Sequence, residues 1–494
     1  MYGPTFPERR RLLQGAGAAA LLAASEAASG ASPPSAVSDP RAGSDGPPPE
    51  VTQALARYAL EVQLADLPEA VRQQGVRTLL NWTGCAVGGS RHEAVDKAIA
   101  ALGPFCGARE AQVPGRRERL DVFQAALVAG ISSHVFDYDD THLKTIIHPA
   151  GPVASAILAW AQHRSVRGAD FLNALLLGVE TECRIGNAVY PSHYEMGWHI
   201  TGTCGPFGSA LACGKLMGLD AQQMRWALGL AASQPVGLKI QFGSMTKSFH
   251  PGRAAQNGML AALLAAQGYT SDEAALEGPD GWGQALSRAH DWGQVTDGLG
   301  SRFESALNTY KPFACGIVTH PGIDAAIQLR NEFELQPAQI TAVELRANPL
   351  VLSLTGKTDP QSGLDAKFSI YYCIAAGIVY GAAGERQFTD AAVRDPQAVA
   401  LRARVRVHTD PGIRPEQADL RIWLSDGRVL SRHIEHAIGS LERPMSDAAL
   451  DAKFADLAAG ILPAAQIRHA IALCRGVADL DDAAQIARAA AAAA

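Results

Sequence analysis

From Val51 to about Ser305, apolar residues recur at the three- and four-residue spacing of helices almost without a break, and the same spacing returns after Ile438. Between these stretches, from about Asn308, the texture changes. Residues 340–355, 401–408 and 420–424 alternate apolar with polar as half-buried strands do. Ser425-Asp426-Gly427 then reads as a hairpin turn into residues 428–435. Helical spacing at 321–332 and 365–380 lies among these strands. The pattern predicts a fold that is mainly α with an α+β insertion. Both chain ends, residues 50–305 and 438–480, build one all-helical domain; residues 306–437 form a smaller α+β domain; and an Ala-rich tail, 481–494, is expected to fray. A cleft between the two units is the default place for a small-molecule site.

Local signals refine the helical part. Asp121 reads as the N-cap of a helix over 122–133, and Asp170 of one over 171–179. Gly202, Gly205, Gly208 and Ala212 recur at helical spacing, with no strand before them and no Lys-Ser/Thr after. That favours a small-faced helix packed tightly on a neighbour over a phosphate loop.

The amino terminus follows a different logic. Arg9-Arg10-Arg11 precedes a short apolar run at 15–24 and small residues at 25–31, the pattern of a bacterial export signal of the twin-arginine type over residues 1–31. The run is too short to span a bilayer. Residues 32–49, rich in Pro, Ser and Gly, read as a linker. The expected location is the periplasm, or the cytoplasm if the leader does not function, with no membrane association beyond a cleavable signal. A net charge of −6 with scattered basic residues argues against a nucleic-acid partner. The eight cysteines show no CxxC and no zinc-ligand spacing, so they are expected to be small buried hydrophobes.

The chemistry-bearing residues concentrate in a few segments. Residues 134–153, HVFDYDDTHLKTIIHPAGPV, set acidic groups, Thr141, His142 and His148 between two apolar helical stretches. The His-Pro junction at His148 recurs at His250 and His320, each before a helical pattern. Proline suits a helix's first turn, so each histidine is expected at a helix start, where free N–H groups favour an anion and keep an imidazole neutral. His148 reads equally as a structural histidine. His199 either meets a ligand or caps the helix that follows it. Lys247 and Arg253 flank His250, and Lys311 begins a similar segment reaching His320; this positive charge suits a di- or tricarboxylate. No second acidic motif accompanies Asp137–Asp140, so no metal site is expected. Tyr371 and Tyr372 share a helix, one expected to face the cleft and the other the core.

In order, DYDDTH…HPAGP, HITGTCGPFGSA, KSFHPGRAAQNG, YKPFACGIVTHPGID, AKFSIYY and the closing ERPMSDAALDAKFADLAAGIL resemble the MmgE/PrpD family across nearly everything but leader and tail. The resemblance implies a helical domain from both chain ends, an α+β lid domain, a homodimer, and an active site between the domains that uses no metal or other cofactor. Carried onto this sequence, it implies Asp137, His148, His199 and Tyr372 as catalytic residues, with Thr141, Lys247 and Lys311 in the pocket. His250, Arg253 and His320 join the substrate-binding set from the charge pattern above. Two departures stand out. The loop from Thr141 to His148 is one residue longer than in the family's cis-aconitate decarboxylases, and Gly316 stands where those enzymes use a histidine. The leading expectation is therefore a cofactor-independent hydro-lyase of the 2-methylcitrate dehydratase type, removing a proton alpha to a carboxylate. An epimerase or isomerase, a decarboxylase, and a non-catalytic solute-binding protein are the alternatives.

Overall fold

The computed structural model describes residues 50–492. The leader and the linker expected before residue 50 lie outside the described residues. One apolar core gathers the long helices Glu69–Gly89, Val122–His134, Ala150–His163, Gly168–Val189, Ile200–Met217 and Met245–Ala266. Near the carboxyl end, helices Asp447–Ala458 and Ala464–Arg475 return to pack on Glu69–Gly89. Small residues set these crossings. A Cβ on Gly252 would lie 2.2 Å from the Leu127 carbonyl oxygen, and one on Gly130 would lie 2.4 Å from the Gly252 Cα. Only glycine permits backbones this close, and the approach draws the start of Met245–Ala266 toward the end of Val122–His134. Gly205 and Gly208 do the same for Ile200–Met217, against Pro152 and the Gly178 carbonyl. This is the small-faced helix expected from their spacing.

The α+β part holds a four-stranded sheet in the order Val405–Thr409, Ile340–Ala347, Ala418–Leu424, Val429–Ile434. The first pair is parallel and the others antiparallel. Helices His320–Phe333 and Ile370–Tyr380 cover it, burying Val343, Leu345, Leu420 and Ile422. The turn at 425–427 forms as expected, with Gly427 at φ 90°. A separate two-stranded ladder pairs Asp140–His142 with Asn308–Tyr310 in the register Asp140↔Tyr310. It joins the acidic segment to the segment that carries Lys311.

Several boundaries differ from the sequence reading, each for a local reason. The strand expected over 340–355 stops at Ala347, because Asn348-Pro349 turns the chain and Leu350–Thr355 is helical. Residues 401–402 finish the helix Pro396–Arg402, so the strand begins only at Val405. The helix expected over 365–380 is broken before Ile370, where the Ser369 hydroxyl accepts from the Tyr372 N–H and starts a new helix. Asp121 caps its helix as expected, but Asp170 lies inside the first turn of Gly168–Val189 and pairs with Arg167. Of the three His-Pro junctions, His148 precedes the helix Ala150–His163 and His320 opens His320–Phe333. His250-Pro251 instead lies within Met245–Ala266, so His250 is not at a helix start. The Ala-rich tail does not fray over its described length. Residues Ala484–Ala489 form a helix whose small, buried side chains fit against Ala464–Arg475 and Ala150–His163.

Candidate active site

Val122–His134 ends three residues before Asp137, whose φ of 51° is a left-handed conformation that Asp tolerates better than most residues. Its Oδ1 accepts from Lys247 Nζ at 2.8 Å and from Lys311 Nζ at 2.7 Å, and Lys311 also donates to the Asp137 carbonyl at 3.0 Å. Lys247 comes from the first turn of Met245–Ala266 and Lys311 directly follows the strand Asn308–Tyr310. Burial alone would raise the Asp137 pKa, but the two ammonium groups hold it well below the usual carboxylate range. Each ammonium has three N–H bonds, of which the contacts named here and below occupy two.

Four imidazoles surround this ion cluster. His148 Nδ1 lies 2.7 Å from the Asp140 carbonyl, with the Thr141 hydroxyl at 3.2 Å. A carbonyl only accepts, so Nδ1 carries the proton and Nε2 presents a lone pair. That Nε2 is 3.9 Å from Asp137 Oδ1, beyond hydrogen-bond reach. His134 is fixed the same way: Nδ1 donates to Asp139 Oδ2 at 2.7 Å, and Nε2 accepts from Lys247 Nζ at 3.0 Å. His199 shares a single proton with His250 across an Nδ1–Nδ1 contact of 2.8 Å. Although His199 immediately precedes the helix Ile200–Met217, its side chain does not cap it. Burial, reinforced by Lys311 for His148 and by Lys247 for His199, pushes both pKa values well below the ordinary imidazole value. Burial and neighbouring His134 hold His250 near 4.

Around these groups lies a narrow cavity of about 40 Å³. Asp137, His148, Tyr194, His199, Lys247 and Lys311 form its ionisable side, and Gly316, Ile317, Val318, Leu354, Thr355 and Phe368 face them from the α+β part. Ile146 and Phe242 complete the wall. The carboxylates and imidazoles of His134, Asp137, Asp139 and His148 lie close enough to share a cation. The Lys247 ammonium, bonded to both His134 and Asp137, already provides the positive charge there.

Of the ten residues expected in the site, five line the void: Asp137, His148, His199, Lys247 and Lys311. Two stand behind it. Thr141 contacts the Nδ1 of His148, and His250 contacts His199. Three lie elsewhere. Arg253 is exposed and bonds Gln256 one turn on, because its helix turns that face to solvent. His320 is buried edge-on to Phe313 and does not line the void. Tyr372 is fully buried, its hydroxyl donates to the Gln387 carbonyl, and it packs on Phe388 away from the void.

Two important residues were absent from that set. His134 lies in the same segment as Asp137, but a histidine at a helix end carries no signal of its own. Lys453 comes from the C-terminal helix Asp447–Ala458 and is buried, donating to Asn81 Oδ1 at 2.8 Å and to the carbonyls of Tyr138 at 2.6 Å and Lys311 at 2.9 Å. It ties together the two segments that supply Asp137 and Lys311. Burial lowers its pKa to about 8. The closing motif of the sequence contains Lys453, but nothing in the spacing shows that it reaches across the fold.

Comparison with known proteins agrees with this architecture. The profile of the MmgE/PrpD N-terminal domain matches residues 53–295 and that of the MmgE/PrpD C-terminal domain residues 313–476. The chain is 26% identical to a cis-aconitate decarboxylase of Aspergillus terreus over 461 residues, 87% of this chain and 94% of the relative. It is 26% identical to a cis-aconitate decarboxylase-like protein of Aspergillus oryzae, covering 86% and 93%, and 25% identical to the human cis-aconitate decarboxylase, covering 87% and 92%. Both halves of the chain thus match in order along nearly their whole length, and the chain belongs to the MmgE/PrpD family.

Proposed function

We propose that this protein is a lyase that acts on a small carboxylic acid by proton transfer inside the Asp137 void, with decarboxylation ahead of dehydration. The observation that carries the reading is the fixed tautomer of His148, which turns an unprotonated Nε2 toward a space bordered by two ammonium groups. A substrate carboxylate can take the remaining N–H of Lys247 and Lys311, and its charge raises the proton affinity of the imidazoles beside it. When the C–C bond to the departing carboxyl breaks, the electron pair moves into the conjugated carboxylate that remains. An ammonium stabilises the developing enolate, and an imidazolium of His148 or His199 delivers a proton to carbon. The balance is one proton consumed and one carbon dioxide released per turnover.

The names of the curated relatives support decarboxylation. The glycine at 316 does not remove the proton donors, because His148 and His199 both line the void. Dehydration of the 2-methylcitrate type uses the same neutral base to take an alpha proton and consumes no net proton. Epimerisation would return that proton to the opposite face.

Proton NMR in D₂O, run on cis-aconitate, 2-methylcitrate and alkyl-substituted dicarboxylates, separates these outcomes. Carbon dioxide release with proton uptake indicates decarboxylation, a new alkene with retained carboxyls indicates dehydration, and exchange alone indicates epimerisation. His148→Asn is expected to lower the observed rate by about 10²–10⁴-fold. Ligand-stabilised melting without turnover or exchange of any of these acids would overturn the reading in favour of a binding protein.

A further inference from the structure

The void has two unlike walls. Every ionisable side chain of its lining comes from the side of Asp137 and the segments bonded to it. The opposite wall, Ile317, Val318, Leu354 and Phe368, is hydrocarbon. Its polar member, Thr355, spends its hydroxyl on the Val351 carbonyl at 2.6 Å. The Thr355 methyl stands where a side chain on Gly316 would begin: a Cβ there would be 2.9 Å from it. The Gly316 N–H is likewise spent, on the Lys367 carbonyl at 3.1 Å. Backbone N–H groups at the start of Ile317–Thr319 can bring only partial charge to this wall.

The fixed charge of the lining is correspondingly small. Lys247 and Lys311 are its two cationic side chains, and Asp137 cancels one of them. One substrate carboxylate balances what remains. A second can be balanced by protonating one imidazole. A third would require a second imidazolium in the same buried cluster, where the His148 and His199 rings are 6.4 Å apart, or would leave an anion unpaired against hydrocarbon. Both are costly among side chains as deeply buried as His148, His199, Lys247 and Lys311.

From this asymmetry we propose that the site is built for an acid with at most two carboxylates and a branched hydrocarbon arm lying on the Ile317–Leu354–Phe368 wall, and that it disfavours a tricarboxylate. The proposal rests on reading the void as a carboxylic-acid site, and narrows that reading to a substrate class.

The test is isothermal titration calorimetry on the full chain with two matched probes. In cis-aconitate a carboxymethyl group branches from a maleate unit; in isobutylmaleate an uncharged group with the same number of heavy atoms takes its place. Isobutylmaleate is expected to bind at least tenfold more tightly at pH 7. Leu354→Lys, which adds a cation to the apolar wall, is expected to reverse that order. Equal or tighter binding of cis-aconitate by the unaltered protein would overturn this inference while leaving the carboxylic-acid site intact. Binding of neither probe at millimolar concentration would overturn both.

Discussion

Asp137→Asn isolates the electrostatic principle of the site. The two ammonium nitrogens both lie within hydrogen-bond reach of one oxygen, at 2.8 and 2.7 Å, and so are at most about 5.5 Å apart. With the carboxylate neutralised, their mutual repulsion at an effective dielectric near 20 is about 3 kcal/mol. Removing one partner from a buried ion pair typically costs ~3–5 kcal/mol, which agrees. Asparagine keeps the shape and an acceptor oxygen and tolerates the left-handed backbone at this position, so the charge is the main change. Unfolding in urea, followed by tryptophan fluorescence, should show a loss of about 3–5 kcal/mol at pH 7. The deficit should also narrow toward pH 9. In the variant one lysine has a folded pKa below its unfolded value, so the unfolded chain holds more protons and stability rises as pH passes through the folded pKa. A loss under about 1 kcal/mol at pH 7, or a deficit that grows with pH, would refute the idea that Asp137 is what makes two buried ammonium groups tolerable.

Other expectations follow from the same geometry. Tyr372→Phe removes a buried hydrogen bond to the Gln387 carbonyl and should cost about 1 kcal/mol of stability while leaving turnover within about twofold. Arg253→Ala, at an exposed side chain, should leave KM unchanged; a rise of tenfold would put Arg253 back at the substrate. The buried histidines should weaken the protein as pH falls, in opposition to Asp140 and Glu385, whose pKa values burial raises to about 7 so that the fold takes up their protons first. Burial depresses the pKa values of His134, His148, His199 and His250 in the fold, so below about pH 6.5 the unfolded chain takes protons that the folded chain refuses. His250, near 4, alone withdraws up to about 3 kcal/mol by the time that pH is reached. The urea midpoint of His250→Gln should therefore fall less steeply than the parent's between pH 7 and 4; an equal or steeper fall would contradict this.

The sequence by itself determined the class of fold and the local chemistry. Helical spacing at both ends, alternation between them and the small-residue face of 202–212 depend on near neighbours along the chain, and periodicity reads near neighbours well. The same holds for the segments bearing Asp137, His148, His199, Lys247 and Lys311, all of which line the void. Tertiary structure decided what each side chain faces. Arg253 and His250 are three residues apart in one helix, yet Arg253 faces solvent and His250 contacts His199, because Gly252 packs against Leu127 and Gly130 and fixes the rotation of the helix. Tyr372 went to the core because Ser369 restarted its helix. Lys453, more than 300 residues from Tyr138 in the chain, reached the site only through the packing of the C-terminal helix on Glu69–Gly89. The tautomer of His148 likewise depends on one carbonyl brought to it by the fold. A residue's type limits the chemistry it can do, but whether it is buried, paired or turned toward the void depends on contacts between distant segments, and no local pattern encodes those.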